Sequence, residues 1–118
     1  MPYLMLIVED PEIRRNRPVE EGRRAYQRMV RFAEALQSRG VLRANESLTS
    51  DAVRVRTRDG KRTVVDGPFA ESKEIIGGFF LLDCASKAEA VAIASECPAT
   101  EWATVEVREI GPCWKGTD

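Results

Sequence analysis

Apolar and polar positions follow two different periods along this chain. The short apolar run from Tyr3 to Val8 predicts a first strand. Apolar residues then recur at helical spacing from about Pro18 to Arg39, and Gly40 follows as a helix-ending glycine. The polar stretch up to Arg17 predicts a loop, and a second strand is expected near Val41 to Leu48.

The middle of the chain alternates with a period of two. The runs Val53 to Arg58 and Lys61 to Asp66 flank Asp59-Gly60, a dipeptide typical of tight hairpin turns. Centring the turn there pairs Val53 with Asp66 and places Asp66 on the apolar face of the hairpin. A carboxylate at the end of an apolar face needs a partner or a cavity, whereas a one-residue slip of register would turn it to the other face. The register therefore makes Asp66 a candidate functional side chain.

The last third of the chain completes one domain, residues 1–118. Ile75 to Cys84 is a strand that is apolar on both faces, and its glycine pair indicates a bulge or a close backbone approach. Ser86-Lys87-Ala88-Glu89 is a capping box that starts a second helix, and Ala103 to Glu109 alternates again as the last strand. This order predicts an α+β ferredoxin-like sandwich, an antiparallel sheet with two helices on one face. Since no helix remains for the other face, we expect a homodimer in which a second subunit covers it.

Composition and charge restrict the function. With 43% hydrophobic and 31% charged residues the chain fits a soluble globular protein. Its first apolar run is too short for a membrane helix and lacks a signal-peptide pattern, so we expect a cytoplasmic protein with no membrane partner. Arg24, Arg28 and Arg31 share one helical face, but acids are interleaved and the pI is about 5.6. This pattern favours a solvated face, and nucleic-acid binding is not expected.

The residue inventory excludes several kinds of site. The chain has no His, which removes Ser-His-Asp and Cys-His catalysis and the usual zinc and iron ligand sets. Its three cysteines, Cys84, Cys97 and Cys113, show no CxxC spacing, and the odd number argues against a disulfide framework. We therefore expect no metal and no redox disulfide, and we assign no cofactor.

The run from Asp66 to Lys73, between two strands, holds most of the candidate chemistry. Pro68 fixes its own backbone and lacks an N–H group, and Gly67 relieves the crowding before it. Two interpretations of Asp66 stay open. It either caps the turn by accepting from the N–H groups of Phe69 and Ala70, or it faces a ligand.

Several segments of the chain resemble a known family. Asp66-Gly67-Pro68-Phe69, Ala70-Glu71 and Gly77-Gly78-Phe79 are similar to the DGPF-domain family, a branch of the YCII-related superfamily. The resemblance extends to three further segments, Tyr3 to Ile7, Gly40 to Leu42 and Val105 to Arg108. It implies a dimeric α/β barrel of ferredoxin-like subunits with a cleft lined by the motif loop. The YCII-like branch has a His-Asp pair suspected of catalysis, and that role is not carried over to a chain without His. Some members are associated with sigma factors, which implies a regulatory context.

Two functions follow as hypotheses. The first is a small-molecule pocket at the Asp66-Gly67-Pro68-Phe69 loop, catalytic or purely for binding. Its candidate residues are Asp66 and Glu71 as catalytic carboxylates, with Tyr3, Arg54, Gly67, Pro68, Phe69, Lys73 and Phe79 as ligand contacts. The second is a non-catalytic interaction or regulatory module that presents the arginine-bearing helix, or the tail with Trp114, to a protein partner.

Overall fold

The fold is that of a computed structural model, which describes residues 2–67, 69, 73–114 and 116. In this part of the chain there are six strands, three α-helices and one short 3-10 helix. In chain order they are β1 (Pro2–Glu9), α1 (Pro11–Asn16), α2 (Val19–Ser38), β2 (Leu42–Ser47), β3 (Val53–Arg58), β4 (Lys61–Asp66), β5 (Ile75–Asp83), α3 (Lys87–Glu96), the 3-10 helix (Pro98–Glu101) and β6 (Thr104–Glu109). None of the described helices is both long and apolar enough to cross a membrane.

Four strands form one antiparallel sheet in the order β2-β5-β1-β6. Strand β5 lies between β1 and β2, so the connection through α2 spans one intervening strand, which is the split arrangement of ferredoxin-like folds. The helices α2 and α3 pack on one face of this sheet. The predicted α+β ferredoxin-like fold is confirmed.

The core lies between the sheet and the two long helices. Alternate side chains of β1 and β5 point towards the helices and are buried, because successive residues of a strand face opposite sides. The buried side chains include Tyr3, Met5, Ile7, Phe80 and Leu82 from the sheet and Leu36, Ala90 and Ile93 from the helices. On the opposite, open face of the sheet, Leu4, Leu6, Phe79 and Leu81 stay half-buried. A second subunit over this open face stays a prediction.

The segment before Arg17 is not the predicted loop but contains helix α1. The carboxylate of Asp10 accepts a hydrogen bond from the Glu12 N–H at 2.9 Å, and Pro11 occupies the first helical position. Both are helix-start signals, since Asp satisfies a free N–H group and Pro has none to satisfy. The sequence interpretation was wrong here because Asp10 and Pro11 also fit the end of a strand. The difference matters because α1 carries Arg14.

Strands β3 and β4 form a separate two-stranded sheet with the predicted register. Val53 pairs with Asp66, and Asp59 and Gly60 adopt φ angles of 52° and 76° at the turn. Positive φ at both central residues is typical of the hairpin turn that Asp-Gly favours. At the base of the hairpin the Gly67 N–H donates to the Ala52 carbonyl at 2.6 Å.

Candidate functional site

Two cavities lie at the same end of the main sheet. The inner cavity, about 530 Å³, lies between α2 and the sheet. Its lining includes apolar Ile7, Tyr26, Met29, Val30, Phe80 and Trp102 and polar Glu9, Arg14, Arg17, Asn45 and Ser47. The hairpin cavity, about 720 Å³, is lined by Pro11, Arg14, Arg15, Asp51, Arg54, Phe69, Glu74, Ile75 and Ile76, among others. Arg14, Leu48 and Thr49 line both cavities, so the two are neighbouring compartments.

An ion pair between Glu9 and Arg14 lies where the two cavities meet. The Arg14 guanidinium donates through Nε to Glu9 Oε2 at 2.9 Å and through Nη2 to Oε1 at 3.0 Å. It also donates through Nη1 to the Leu48 carbonyl at 2.8 Å and through Nη2 to the Gly77 carbonyl at 3.4 Å. The exposed fraction is 11% for the Glu9 side chain and 30% for Arg14. Paired charge-assisted hydrogen bonds are strong and directional, so this contact holds both side chains in one orientation.

The ion pair lies directly against the backbone of β5 at Gly77. The β1–β5 register pairs Ile7 with Gly78 and Val8 with Ile76, so Gly77 is an extra residue in β5, a β-bulge. A Cβ atom at position 77 would lie 2.5 Å from Glu9 Cδ and 2.6 Å from Arg14 Nη2. Only glycine leaves room for the pair, and the bulge expected at the glycine pair is confirmed.

Aromatic and cationic side chains meet at Trp102, another wall of the inner cavity. The guanidinium carbons of Arg17 and Arg28 lie 5.5 and 5.7 Å from the centre of the Trp102 ring. Both are within the range of cation–π attraction. Arg28 also forms a paired contact with Glu101, in which Nη1 donates to Oε1 at 3.0 Å. The hydrogen bonds from Arg28 lower the pKa of the Glu101 carboxyl.

The hairpin cavity brings together two of the residues predicted from the sequence, Arg54 and Phe69, and a third, Gly67, packs against Phe69. The guanidinium carbon of Arg54 lies 3.8 Å from the centre of the Phe69 ring, a stacked contact on one wall of this cavity. Gly67 makes this packing possible, because a Cβ atom there would lie 2.8 Å from Phe69 Cε2 and 3.0 Å from the Ala52 carbonyl oxygen.

The other predicted site residues lie apart from one another. Tyr3 is buried in the core, where burial and then the nearby Glu109 carboxylate raise its pKa. Phe79 is on the open face of the sheet, and Lys73 is exposed. None of these three is part of the described lining of the two cavities.

Asp66 is exposed at the end of β4, and it too is absent from the described lining of both cavities. Glu71 and Pro68 lie outside the described residues. The assignment of Asp66 and Glu71 as catalytic carboxylates stays a prediction.

The inner cavity and the Glu9–Arg14 pair were missed by the sequence interpretation. The available signal was the glycine pair in β5, which indicated a close approach without naming the partner. Glu9 and Arg14 are five residues apart in sequence, a separation that does not predict a contact in a strand or a loop. The two come together only because α1 turns the chain back towards the end of β1.

Comparison with known proteins places the chain in a family. A family model for the YCII-related domain matches residues 1–113. The chain belongs to the YCII-related domain family. Its assignment to the DGPF branch of that family stays a prediction.

Two known proteins show how far the similarity reaches. "Uncharacterized protein R00369" of Rhizobium meliloti (strain 1021) is 48% identical over 48 residues, which span 41% of this chain and 39% of that relative. A solved structure of 5-chloro-2-hydroxyhydroquinone dehydrochlorinase (TftG) from Burkholderia phenoliruptrix AC1100, in complex with 2,5-dihydroxybenzoquinone, matches with a TM-score of 0.56. That match covers 94% of each chain at 14% identity, so it shows a shared fold.

Proposed function

We propose that this protein binds a small, flat molecule in the inner cavity, with the Glu9 carboxylate as its hydrogen-bond acceptor. The observation that carries this proposal is the position of Glu9, a mostly buried carboxylate in the wall of an otherwise largely apolar cavity. Ligand sites are commonly apolar clefts of about 300–1,000 Å³ with a few well-placed polar groups. The inner cavity, at about 530 Å³, has this size and character.

The two members of the ion pair have different roles in this proposal. A carboxylate offers about four lone-pair positions, and Arg14 uses one on each Glu9 oxygen. The remaining positions accept an O–H or N–H group of a ligand. Arg14 instead directs four hydrogen bonds to protein oxygens, on Glu9, Leu48 and Gly77. It is therefore a positioning residue, which holds Glu9 and joins α1 to the sheet.

The walls favour a ring-shaped ligand. Tyr26, Phe80 and Trp102 supply aromatic surface, and Met29 supplies a side chain that adapts to irregular shapes. A flat ring with one or more hydroxyl groups can pack against the aromatic walls and donate a hydrogen bond to Glu9. The fold neighbour was solved with such a compound, 2,5-dihydroxybenzoquinone. That ligand belongs to the neighbour, and here it serves as the first probe.

The loop predicted from the sequence belongs to the same cleft in this proposal. Phe69 and Arg54 line the hairpin cavity, which shares Arg14 with the inner cavity. We assign the hairpin cavity as the outer compartment of the cleft. Acid–base roles for Asp66 and Glu71 remain part of the hypothesis, as does catalysis itself.

We further propose that the protein is a homodimer whose second copy covers the open face of the sheet. The alternative, an interaction or regulatory module, is favoured by one observation, the exposed valines of the β3–β4 hairpin.

A cavity-filling pair of variants tests the binding proposal. Ala25 lines the inner cavity, whereas Ala35 is exposed on the same helix. Isothermal titration of 2,5-dihydroxybenzoquinone and a panel of hydroxylated aromatic compounds is compared for Ala25→Phe and Ala35→Phe. We expect Ala25→Phe to weaken binding at least tenfold and Ala35→Phe to leave it unchanged. Equal affinities in the two variants would place the ligand elsewhere.

A second variant tests the role of Glu9. Glu9→Gln keeps the shape of the side chain and removes its charge. A hydrogen bond to a charged group contributes about 1.5–3 kcal/mol, against about 1 kcal/mol for a neutral one. Affinity for hydroxylated rings should fall about tenfold, while affinity for the same rings without hydroxyls should not change. An equal loss for both sets of compounds would remove Glu9 from ligand recognition.

A further inference from the structure

Arg17 places a cation in the wall of the inner cavity. It joins α1 to α2, and the proline that follows restricts it to the extended backbone that it adopts, with φ −70° and ψ 131°. Its side chain lies beside α2, where a Cβ atom at Gly22 would come within 3.4 Å of Arg17 Cδ. Its guanidinium carbon is 5.5 Å from the centre of the Trp102 ring, and both residues line the cavity. The side chain is therefore fixed in the wall at its stem and at its tip.

The guanidinium of Arg17 has unused hydrogen-bond donors. An arginine side chain carries five N–H donors. Towards the described residues, Arg17 makes the contact with the face of Trp102 and no ion pair or side-chain hydrogen bond. Arg28, the other arginine at this ring, differs because it is paired with Glu101. Since Arg17 is half-buried, its attraction for an anion is stronger than that of a cation in water.

The charges in the wall of the inner cavity do not cancel. Its described lining contains four charged residues, Glu9, Arg14, Arg17 and Glu46. Glu9 and Arg14 neutralise each other. Glu46 pairs with Phe79 across β2 and β5, and cross-strand partners share a face, so this carboxylate is directed to the open face of the sheet. Arg17 is the charge that is left without compensation in the described lining, and it favours an anionic ligand.

We propose that the ligand of the inner cavity is an aromatic acid, a hydroxylated ring whose carboxylate binds Arg17 while its hydroxyl donates to Glu9. The planar guanidinium matches the two oxygens of a carboxylate with paired hydrogen bonds. A carboxylate is favoured over a phosphate dianion because its single charge equals the one that Arg17 leaves uncompensated. The inference rests on the proposed function and adds the charge of the ligand to it.

Isothermal titration with charged and neutral ligands of similar shape tests this inference. The probes are the three positional isomers of hydroxybenzoate and the matching hydroxybenzamides, in which a neutral amide replaces the carboxylate. For at least one isomer, we expect the wild type to bind the hydroxybenzoate about tenfold more tightly than the hydroxybenzamide, because hydrogen bonds between charged groups are the stronger ones. Added salt should weaken the binding of the hydroxybenzoate alone.

Arg17→Gln removes the cation, and Arg24→Gln is its matched control. Arg24 is exposed on α2 and is not part of the described lining, so its replacement changes the net charge equally without altering the cavity. We expect the preference for hydroxybenzoate to fall below about threefold in Arg17→Gln and to stay at about tenfold in Arg24→Gln. Equal preferences in these two variants would overturn the contact between Arg17 and the ligand.

Arg17→Lys separates a lost ion pair from a damaged wall. It keeps the charge and loses the planar pair of donors. It should bind hydroxybenzoate more tightly than Arg17→Gln does, and its affinity for hydroxybenzamide should match that of the wild type. Loss of both probes in the lysine and the glutamine variants alike would assign Arg17 to the packing of the wall and overturn the ion pair.

The remaining outcomes separate the charge of the ligand from the site itself. If the wild type binds both probes equally and Ala25→Phe abolishes that binding, the inference fails and the proposed function stands. If the preference depends on Arg17 but neither Ala25→Phe nor Glu9→Gln affects binding, the anion binds outside the inner cavity and the proposed function fails. If no probe binds to the wild type, both fail.

Discussion

Replacing Gly77 by alanine tests the link between the sheet and the ion pair. The new methyl group would lie 2.5 Å from Glu9 Cδ and 2.6 Å from Arg14 Nη2. Contacts this close are not tolerated, so the Glu9 carboxylate and the Arg14 guanidinium must both move away from β5. We expect the variant to lose the paired hydrogen bonds between Glu9 and Arg14.

The structure sets the magnitude of this loss. Removing one partner of a fully buried pair costs about 3–5 kcal/mol, whereas an exposed pair contributes about 0.2–1 kcal/mol. With 11% of Glu9 and 30% of Arg14 exposed, the pair lies between these limits. We expect Gly77→Ala to lower the free energy of unfolding by about 1–3 kcal/mol, which corresponds to a fall in melting temperature of roughly 4–12 °C.

Urea unfolding of the wild type and four variants measures this effect. Gly111→Ala is the control, since a Cβ atom at Gly111 has nothing within 4 Å, and we expect it to change stability by less than about 0.5 kcal/mol. Glu9→Ala and the double variant Glu9→Ala/Gly77→Ala complete a double-mutant cycle. Gly77→Ala should lower the free energy of unfolding by less in the Glu9→Ala protein than in the wild type, because positions 9 and 77 are in contact. A neutral Gly77→Ala, or full additivity in the cycle, would show that Gly77 is not needed to make room for the Glu9–Arg14 pair.

Three further predictions concern other parts of the molecule. The Ser86 hydroxyl accepts a hydrogen bond from the Glu89 N–H at 3.2 Å, and the Glu89 carboxylate accepts one from the Ala85 N–H at 2.8 Å. Ser86→Ala should therefore lower the free energy of unfolding in urea by about 0.5–2 kcal/mol. An unchanged urea midpoint would contradict the capping box. Arg28 lowers the pKa of Glu101, so the contribution of this carboxylate to stability is present above its unfolded-state pKa and is lost as pH falls through its folded-state pKa. The difference in free energy of unfolding between the wild type and Glu101→Gln should therefore shrink on acidification. A difference that does not depend on pH would contradict the lowered pKa. Burial raises the pKa of Cys84 and Cys97 while Cys113 is exposed, so a thiol reagent should modify Cys113 rapidly and the other two only on unfolding; rapid reaction at Cys97 would contradict the packing.

Local patterns were sufficient to predict most of the fold. The hairpin register followed from Asp59-Gly60 because that turn fixes the pairing of its flanking strands. The strand from Ile75 was recognised because it is apolar on both faces, and α3 because Ser86 and Glu89 form a capping box. Helix α1 was missed because it is short and polar, so no apolar period marks it.

The candidate site depended on contacts that the sequence does not encode locally. Gly67 and Phe69 were found because they are close in sequence, and Arg54 because the hairpin register brings β3 beside the end of β4. Glu9 and Trp102 come from opposite ends of the chain and meet at the inner cavity only after the sheet has formed. Asp66 had the predicted register, but its face of the hairpin is exposed, because strand register does not specify what covers a face.

A crystal structure of the protein soaked with hydroxylated aromatic fragments would show whether the inner cavity binds a ligand through Glu9. We expect density for a flat ring in the inner cavity, beside Trp102, with a ligand hydroxyl within about 3 Å of a Glu9 carboxylate oxygen. Arg14 should keep its contacts with Glu9 in that structure. If fragments bind only outside the inner cavity, or if none of the panel enters it, the inner cavity is not the ligand site.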